Sequence, residues 1–403
     1  MPNIPTVVES DSQEVETSLN FKKSTLYVGD NLQYLRGMNS ESVDLIYLDP
    51  PFNSSRNYVS TTGQESFQGT WKWDNDDVRW LGEIDRASPA LSSLIESFSG
   101  TEGKNTAAYL CFMAVRLLEM HRVLKPTGSI YLHCDDTAGH MLQSLMSAIF
   151  GRANFRNQVS WKRHTAAGKT NQFGPKRYSR SVDLLLFYAK SKDTKLSPFI
   201  PVPDDEIQEY FPLVDEEGRR YRLDTSSPIF CSPNMGPRPN LCYKWSPPDK
   251  PDLVFENPTK GGWKLSVERL EEEYAKGNIR VRTDGKLERR KYQDGHKGKP
   301  IPSLWDDVKP VLGVKEKTGF PTQKPLALLQ RVVRSSSNPG EVVLDPFAGS
   351  GTTLEAAHQL DRQFVGIEEN AYNVKAILER FAKAGIALTS SIEVPVSRHL
   401  VSL

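Results

Sequence analysis

The 403-residue chain is poor in cysteine, with four in all, and Cys111, Cys134, Cys231 and Cys242 show no C-x-x-C spacing. That argues against a zinc ribbon or a disulfide scaffold. Cys111 and Cys134 lie in apolar runs and read as buried free thiols. The sequence has no apolar run long enough to span a bilayer and no signal-peptide pattern, so it is expected to be cytoplasmic, with no membrane partner. Neither sign of charge dominates: 51 Lys and Arg against 50 Asp and Glu leave a net charge of +1. Any surface for a polyanion must then come from local segregation of charge. What remains is a chain long enough for one large sheet core plus a smaller appended region. Residues 1–20, polar with Pro2, Pro5 and several acids, read as a disordered or draped arm.

A short motif stands out. Ser42–Leu48 reads as a strand, and Asp49-Pro50-Pro51-Phe52 ends it. This pattern suits a pocket that grips the exocyclic amino group of a planar base. Asp49 offers a carboxylate acceptor, and the Pro50 carbonyl can accept a second N–H. The proline rings stiffen the turn, and Phe52 offers a flat face for stacking. Taken alone, Asp-Pro-Pro is also a common loop start after a strand.

Far along the chain, Val342–Thr353 reads as a buried strand, a glycine-bearing turn and a helix beginning near Thr353. This is the layout of a cofactor crevice at the carboxyl edge of a parallel sheet. Gly349 and Gly351 would let the backbone approach a ligand closely. The next strand, Gln363–Ile367, leads into Glu368, an acid placed to accept both hydroxyls of a ribose. The spacing is Asp-Pro-Phe-x-Gly-x-Gly, not Gly-x-Gly-x-x-Gly, which favours a cofactor without phosphates over a dinucleotide.

These residues carry a resemblance. The chain resembles the amino-methylating DNA methyltransferases of the beta arrangement, in which the catalytic motif precedes the cofactor motif. Asp49-Pro50-Pro51-Phe52 matches the catalytic motif, and Asp345-Pro346-Phe347-Ala348-Gly349-Ser350-Gly351 matches the S-adenosylmethionine loop. Thr322-Gln323-Lys324-Pro325 matches the segment before that loop, and Gly29-Asp30 an adenine-side contact for the cofactor. The likeness covers about residues 24–190 and 300–385.

The resemblance implies an α/β fold, a Rossmann-like S-adenosylmethionine methyltransferase sheet with an inserted DNA-recognition region. The order would be an arm (1–20), a catalytic half (21–190), a target-recognition region (191–300), a cofactor-binding half (301–385) and a tail (386–403). It implies site-specific methyl transfer from S-adenosylmethionine to the exocyclic amino group of a flipped-out base in double-stranded DNA. In the family an Asp at the first motif position leans to adenine N6 and a Ser to cytosine N4. Phe52 in place of the commoner Tyr departs from the adenine form, so adenine N6 stands first and cytosine N4 second. An RNA or protein amide methyltransferase ranks lower, because its glycine loop should come first.

By position, the resemblance assigns catalysis to Asp49, Pro50, Pro51 and Phe52. It assigns cofactor contact to Asp30, Asp49, Lys324, Pro325, Asp345, Phe347, Gly349, Gly351 and Glu368, with no metal. Lys324 reads equally well as a helix-start neighbour without a ligand. A homodimer, a companion restriction endonuclease and association with the nucleoid stay open.

Other segments are read beside that frame. Residues 53–105, rich in Gly, Ser, Asn, Asp and Trp, are expected to be irregular; Trp71-Lys72-Trp73-Asp74 would be part of a flap over the extruded base or a loop anchored on the core. Thr106–Leu124 has helical spacing and is expected to stop at Pro126-Thr127-Gly128, with His121 a helix-end residue. Ser129–His133 is the next strand, and Asp135 and Asp136 are expected to cap a helix near Thr137 in preference to lining the base pocket. Between Gly151 and Arg180 lie eight basic residues and no acid, interleaved with Phe155, Trp161, Phe173 and Tyr178. Lys162, Arg163, Lys169, Lys176, Arg177 and Arg180 are the phosphate contacts this run suggests, with Arg152 and Arg156 completing it. Lys276–Lys299 carries nine basic residues against three acids, and Arg289, Arg290 and Lys291 are candidates to reach base edges.

Overall fold

Val43–Leu48 is buried at every position, as a strand covered on both faces must be. The computed structural model describes residues 24–52, 58–59, 65–67, 69–163, 180–224, 238–256, 262–311, 316–318, 320 and 322–388. They fall into two compact units, one ending at Ser197 and resuming at Pro302, the other Pro198–Ile301.

The first unit holds an eight-stranded sheet. Its strands are β1 (Thr25–Val28), β2 (Val43–Leu48), β3 (Leu124–Cys134), β4 (Phe155–Lys162), β5 (Val182–Ala189), β6 (Leu304–Trp305), β7 (Val342–Asp345) and β8 (Gln363–Glu368). Their order is β1-β8-β7-β2-β3-β5-β4-β6. From β1 to β3 every pairing is parallel, and β5 lies antiparallel between β3 and β4. Chain order reverses between β7 and β2: β7 leads outward to β8, and β2 outward to β3. Such a switch point opens a crevice at the carboxyl ends of the strands.

The helices are α1 (Asn31–Gly37), α2 (Asn75–Ala87), α3 (Pro89–Glu102), α4 (Lys104–Val123), α5 (Gly139–Phe150), α6 (Leu326–Ser336), α7 (Thr352–Gln359) and α8 (Ala371–Ala384). None of the described helices is long and apolar enough to cross a membrane. The core between α4, α5 and the sheet is built from Leu110, Met113, Leu117, Leu142, Leu145, Ile46 and Leu132, all fully buried. Cys111 and Cys134 are buried free thiols within it, as read; Cys231 lies outside the described residues.

Three expectations need correcting. Residues 75–102, read as irregular, form α2 and α3. Asp74 opens α2 with a capping box closed by Asp77, and Ser88 caps α3 with Pro89 at its first position. Before them Trp71 packs on Tyr109 and Phe112, at 5.2 and 4.7 Å between ring centres, which is the anchored-loop reading. The helix over 106–124 is found as α4 and ends at Val123, already before Pro126-Thr127-Gly128, which lie within β3. A Cβ on Gly128 would stand 2.8 Å from the Asp44 carbonyl oxygen, so this position within β3 needs glycine. Asp135 and Asp136 cap no helix. Asp135 accepts bonds from the Thr137 N–H and hydroxyl in a local turn, Asp136 pairs with Arg180, and α5 begins at Gly139. His121 is a helix-end residue as read, edge-on to Phe150, its pKa lowered to about 4 by burial and by Lys190.

The second unit is an antiparallel four-stranded sheet in the order 279–281, 287–292, 220–223, 213–214. A helix, Val267–Ala275, accompanies it, and Trp245, Trp263, Leu270 and Ile279 form a small core.

One buried acid in β2 ties three strands together. Asp44 accepts Lys125 Nζ at 2.8 and 2.9 Å and the Val342 N–H at 2.9 Å, so it links β2 to β3 and β7. Asp44→Ala should therefore cost the first unit about 2–3 kcal/mol, the scale of hydrogen bonds to a charged group. Urea unfolding would read it. A loss below about 0.5 kcal/mol would mean these bonds contribute nothing net.

Candidate active site

The carboxyl ends of β2 and β7 bring Asp49 and Asp345 to the switch point. A cavity of about 560 Å³ opens there, lined by Asp30, Asp49, Pro50, Pro51, Phe52, Lys324, Asp345, Phe347, Gly349 and Glu368 among others. The structure thus brings together most of the residues that the sequence assigns to catalysis and cofactor contact. Gly351 and Pro325 do not line the cavity. Gly351 is the cap before α7 at φ 75°, where a Cβ would press on Ile377 at 3.1 Å, and Pro325 precedes α6. Gly349, at φ 54°, would bring a Cβ to 3.2 Å from Phe320.

Lys324 does more than begin a helix. It is buried, and its Nζ donates to Asp49 Oδ2 and, at 3.3 Å, to the Thr322 carbonyl. It also stands 5.8 Å from the centre of the Phe52 ring. The Asp49 turn and the segment before the glycine loop are therefore joined by an ion pair.

Glu368 is held by its own neighbourhood. Its Oε2 accepts the Gly349 N–H at 2.8 Å; its Oε1 accepts the Asn370 N–H at 2.9 Å and Asn373 Nδ2 at 3.0 Å. Burial raises its pKa to about 7 despite these donors. Asp345 behaves alike: Oδ1 accepts the Phe347 N–H at 3.0 Å, and burial, with Asp49 and Glu368 nearby, pushes it to about 7.

Sequence reasoning missed Arg116. It lies on α4, 3% exposed, with its guanidinium 3.5 Å over the Phe112 ring. Its Nε donates to Asn31 Oδ1 at 2.6 Å and its Nη2 to Asp30 Oδ1 at 2.9 Å, the same oxygen that accepts the Leu32 N–H. Asp30 is thereby oriented by Arg116 and the Leu32 N–H. Burial lowers the Arg116 pKa to about 10, so it remains a cation at neutral pH. The available signal was an arginine in a run of apolar positions, Phe112 to Leu118. Asn31 Nδ2 in turn donates to the Pro346 carbonyl at 2.7 Å, binding the Asp30 turn to the glycine loop. The Trp71 indole N–H, another missed feature, is buried at the cavity wall with no hydrogen-bond partner among the described residues.

The residues read as DNA contacts are mostly held in ion pairs. Arg163 stands 3.1 Å from Asp183, and Arg180 3.1 Å from Asp136. Lys162 ends β4 and is exposed, whereas Lys169, Lys176 and Arg177 lie outside the described residues. In the second unit Arg289 meets Glu273 at 3.4 Å, Arg290 meets Glu288 at 2.6 Å, and Lys291 meets Asp224 at 3.1 Å. Arginines not singled out from the sequence stack there on tyrosines, Arg219 on Tyr292 and Arg222 on Tyr210, each at 4.4 Å.

A family model described as DNA methylase matches residues 43–379. The type II methyltransferase M.EcaI of Enterobacter cloacae is 27% identical over 374 residues, covering 91% of this chain and 71% of its own length. The Mod subunit of the type III restriction-modification enzyme StyLTI of Salmonella typhimurium is 28% identical over 373 residues, covering 89% of this chain and 53% of its own. The DNA adenine methyltransferase YhdJ of Escherichia coli is 22% identical over 364 residues, covering 90% and 84%. Since the matched span takes in the Asp49 turn, the glycine loop and Glu368, the chain belongs to the N6/N4 DNA methylase family.

Proposed function

We propose that this chain is a site-specific DNA methyltransferase acting on the exocyclic amino nitrogen of a flipped-out base, adenine N6 first and cytosine N4 second. One observation carries the reading: the Asp49 acceptor and the Glu368–glycine-loop cradle open into the same cavity.

The cavity fits S-adenosylmethionine. Its volume lies in the range of about 300–1,000 Å³ usual for such ligands. Asp30, Asp49, Asp345, Glu368 and Glu369 face only Arg116 and Lys324 among its charged lining, a balance suited to a cationic sulfonium. Glu368 would take the ribose, Asp30 the adenine edge, and Asp345 and Phe347 the methionine end. When bound, S-adenosylmethionine supplies an electrophilic methyl group.

The chain's own residues do the rest. The amino nitrogen of a base is conjugated to its ring and is a poor nucleophile. Hydrogen bonds from it to the Asp49 carboxylate and the Pro50 carbonyl favour a more pyramidal nitrogen with its lone pair available. Lys324 holds Asp49 in place, and positioning with fixed charge then carries a direct transfer. Phe52 stacks on the base once it has left the duplex. This transfer requires no cysteine nucleophile.

Adenine is supported by Asp49 at the first motif position and by the name of the YhdJ relative. Phe52 keeps cytosine N4 second. On this reading residues 191–300 carry target recognition, supported by the separate unit Pro198–Ile301 and its basic strand. The StyLTI name supports a companion restriction endonuclease. A homodimer and a place beside the nucleoid enter as family expectations.

Single-molecule sequencing of DNA from a methylation-free host expressing the chain tests the reading. Wild type should mark one sequence motif, and Asp49→Ala should erase the mark while binding S-adenosylmethionine nearly as well. Full activity in that variant would remove Asp49 from the chemistry, and unmodified wild-type DNA would overturn the reading.

Cofactor binding should also depend on pH. Asp345 and Glu368 both titrate near 7, from ordinary values of 3.8 and 4.5. A cation favours their ionised forms, so S-adenosylmethionine should bind more tightly as pH rises from about 6 to 8, releasing protons. S-adenosylhomocysteine, which lacks the sulfonium, should respond less. In the free chain the sign is opposite: raised folded pKa values mean that stability falls as pH climbs towards 7. Titration calorimetry in buffers of different ionisation enthalpy reads the binding effect, and a Kd that is flat across this window would contradict it.

A further inference from the structure

One arginine of the second unit is held by a ring and meets no acid. Arg222 lies on the strand Arg220–Leu223, directly opposite Lys291 on the strand Leu287–Tyr292. Arg289, Arg290 and Lys291 each meet a carboxylate. Arg222 makes no ion pair and no hydrogen bond among the described residues. Its Nε is buried without a partner, whereas neither terminal nitrogen is buried in that way. Its guanidinium carbon stands 4.4 Å from the centre of the Tyr210 ring. Tyr210 is itself fixed, edge-on to the buried Phe211 at 5.0 Å and to His296 at 5.6 Å. Lys299 Nζ reaches the same ring at 5.3 Å while pairing with Glu206.

Stability does not account for this arrangement. Like charges directly opposite on antiparallel strands repel, and a buried N–H without an acceptor loses its hydration for nothing. An acceptor set against the two terminal nitrogens would relieve the repulsion. A guanidinium lying on an aromatic face is a planar fork already fixed in direction, matched to an acceptor with two adjacent lone-pair atoms. On duplex DNA that chemistry belongs to the N7/O6 edge of guanine and to the backbone phosphate.

We propose that Arg222 is a direct DNA contact of residues 198–301, its fork held on Tyr210 for a bidentate acceptor, a guanine edge or a phosphate. Lys291 and Lys299 stand beside it, their side chains 37% and 41% exposed, as supporting charge. The proposal rests on the methyltransferase reading, in which this unit carries target recognition.

The test uses the full chain and duplex DNA carrying the mapped site, with binding read by fluorescence anisotropy. Arg222→Ala should weaken binding by about tenfold or more, with the S-adenosylmethionine Kd within about twofold of wild type. Tyr210→Phe keeps the ring and should bind as wild type does. Tyr210→Leu should weaken binding too, and Tyr210→Leu/Arg222→Ala no further than Arg222→Ala alone, since the ring acts through the arginine. A merely structural pair predicts lost thermal stability without this pattern in DNA affinity.

Duplexes changed at single base pairs separate the two acceptors. At a guanine edge, Arg222→Ala loses discrimination at one position and Arg222→Lys restores little of it. At a phosphate, all sequences weaken alike, the slope of log Kd against log salt shrinks by about one, and Arg222→Lys restores most of the loss. Should Arg222→Ala melt early, Arg222→Gln replaces it under the same criteria. Binding of the mapped site within about twofold of wild type would overturn the proposal, as would a loss to which Tyr210→Leu adds in full. An active wild type with Arg222→Ala unchanged overturns this contact alone. A wild type that moves no methyl group overturns the methyltransferase reading, and this contact with it.

Discussion

The Lys324–Asp49 ion pair joins residues 275 positions apart, and the site depends on it. The first unit is interrupted in sequence by Pro198–Ile301, so its two segments must be brought together by contacts within the sheet and above it. Below the switch point, Asp44 accepts the Val342 N–H across 298 positions and sets β7 beside β2. Above it, Asn31 reaches the Pro346 carbonyl across 315. Lys324 and Asp49 close the arrangement at the cavity, where the chemistry is proposed to occur. Their side chains are 10% and 18% exposed, so this is not a surface pair of negligible weight. Removing one partner would strand the other in a poorly solvated pocket.

The same logic orders the charges of the cavity. β8 and β7 separate β1 from β2 in the sheet, so Asp30 and Asp49 stand at its two sides. Each has a cation of its own, Arg116 and Lys324. The inner acids, Asp345 and Glu368 at the ends of β7 and β8, are served mainly by backbone N–H groups and amides, and burial brings both to about 7. The cavity therefore keeps its uncompensated negative charge in the middle, where a sulfonium would relieve it. The outer acids are oriented before any ligand arrives, and such preorganisation is what a transfer without a covalent intermediate requires.

What was legible in the sequence was local. Asp49-Pro50-Pro51-Phe52 and the Gly349–Gly351 turn announce themselves because their chemistry lies in consecutive residues, and the apolar runs into them mark strands. Helices α2 and α3 were missed although Asp74, Asp77, Ser88 and Pro89 are ordinary helix starts, because a polar composition hid them. Asp135 looked like a cap and makes a turn instead, since its side-chain bonds go to Thr137, ahead of the helix. The partners of Lys324 and Arg116 could not be read at all. They are fixed by sheet order, and nothing near Thr322 names Asp49. The buried run in which the Tyr47 hydroxyl lies 2.9 Å from His133 Nδ1, and His133 Nε2 3.2 Å from Asp183, is harder still, for it exists only when three strands lie side by side.

Sheet pairing also changes how the basic segments should be understood. From sequence, Arg289, Arg290 and Lys291 form a bare positive run; in the folded unit each faces an acid. This reconciles a net charge of +1 with the proposed role in DNA recognition. Lys291 is the exposed member of the three, at 37%, so exchanging its Asp224 partner for a phosphate or a base edge costs little. Meanwhile the acid and a stacked tyrosine hold the long side chain extended, as Glu288 and Tyr221 hold Arg290, and so reduce the entropy lost when DNA binds. A basic strand dressed in this way trades long-range attraction for orientation. That is the better exchange for a region proposed to discriminate between sequences than for one that only holds on to phosphates.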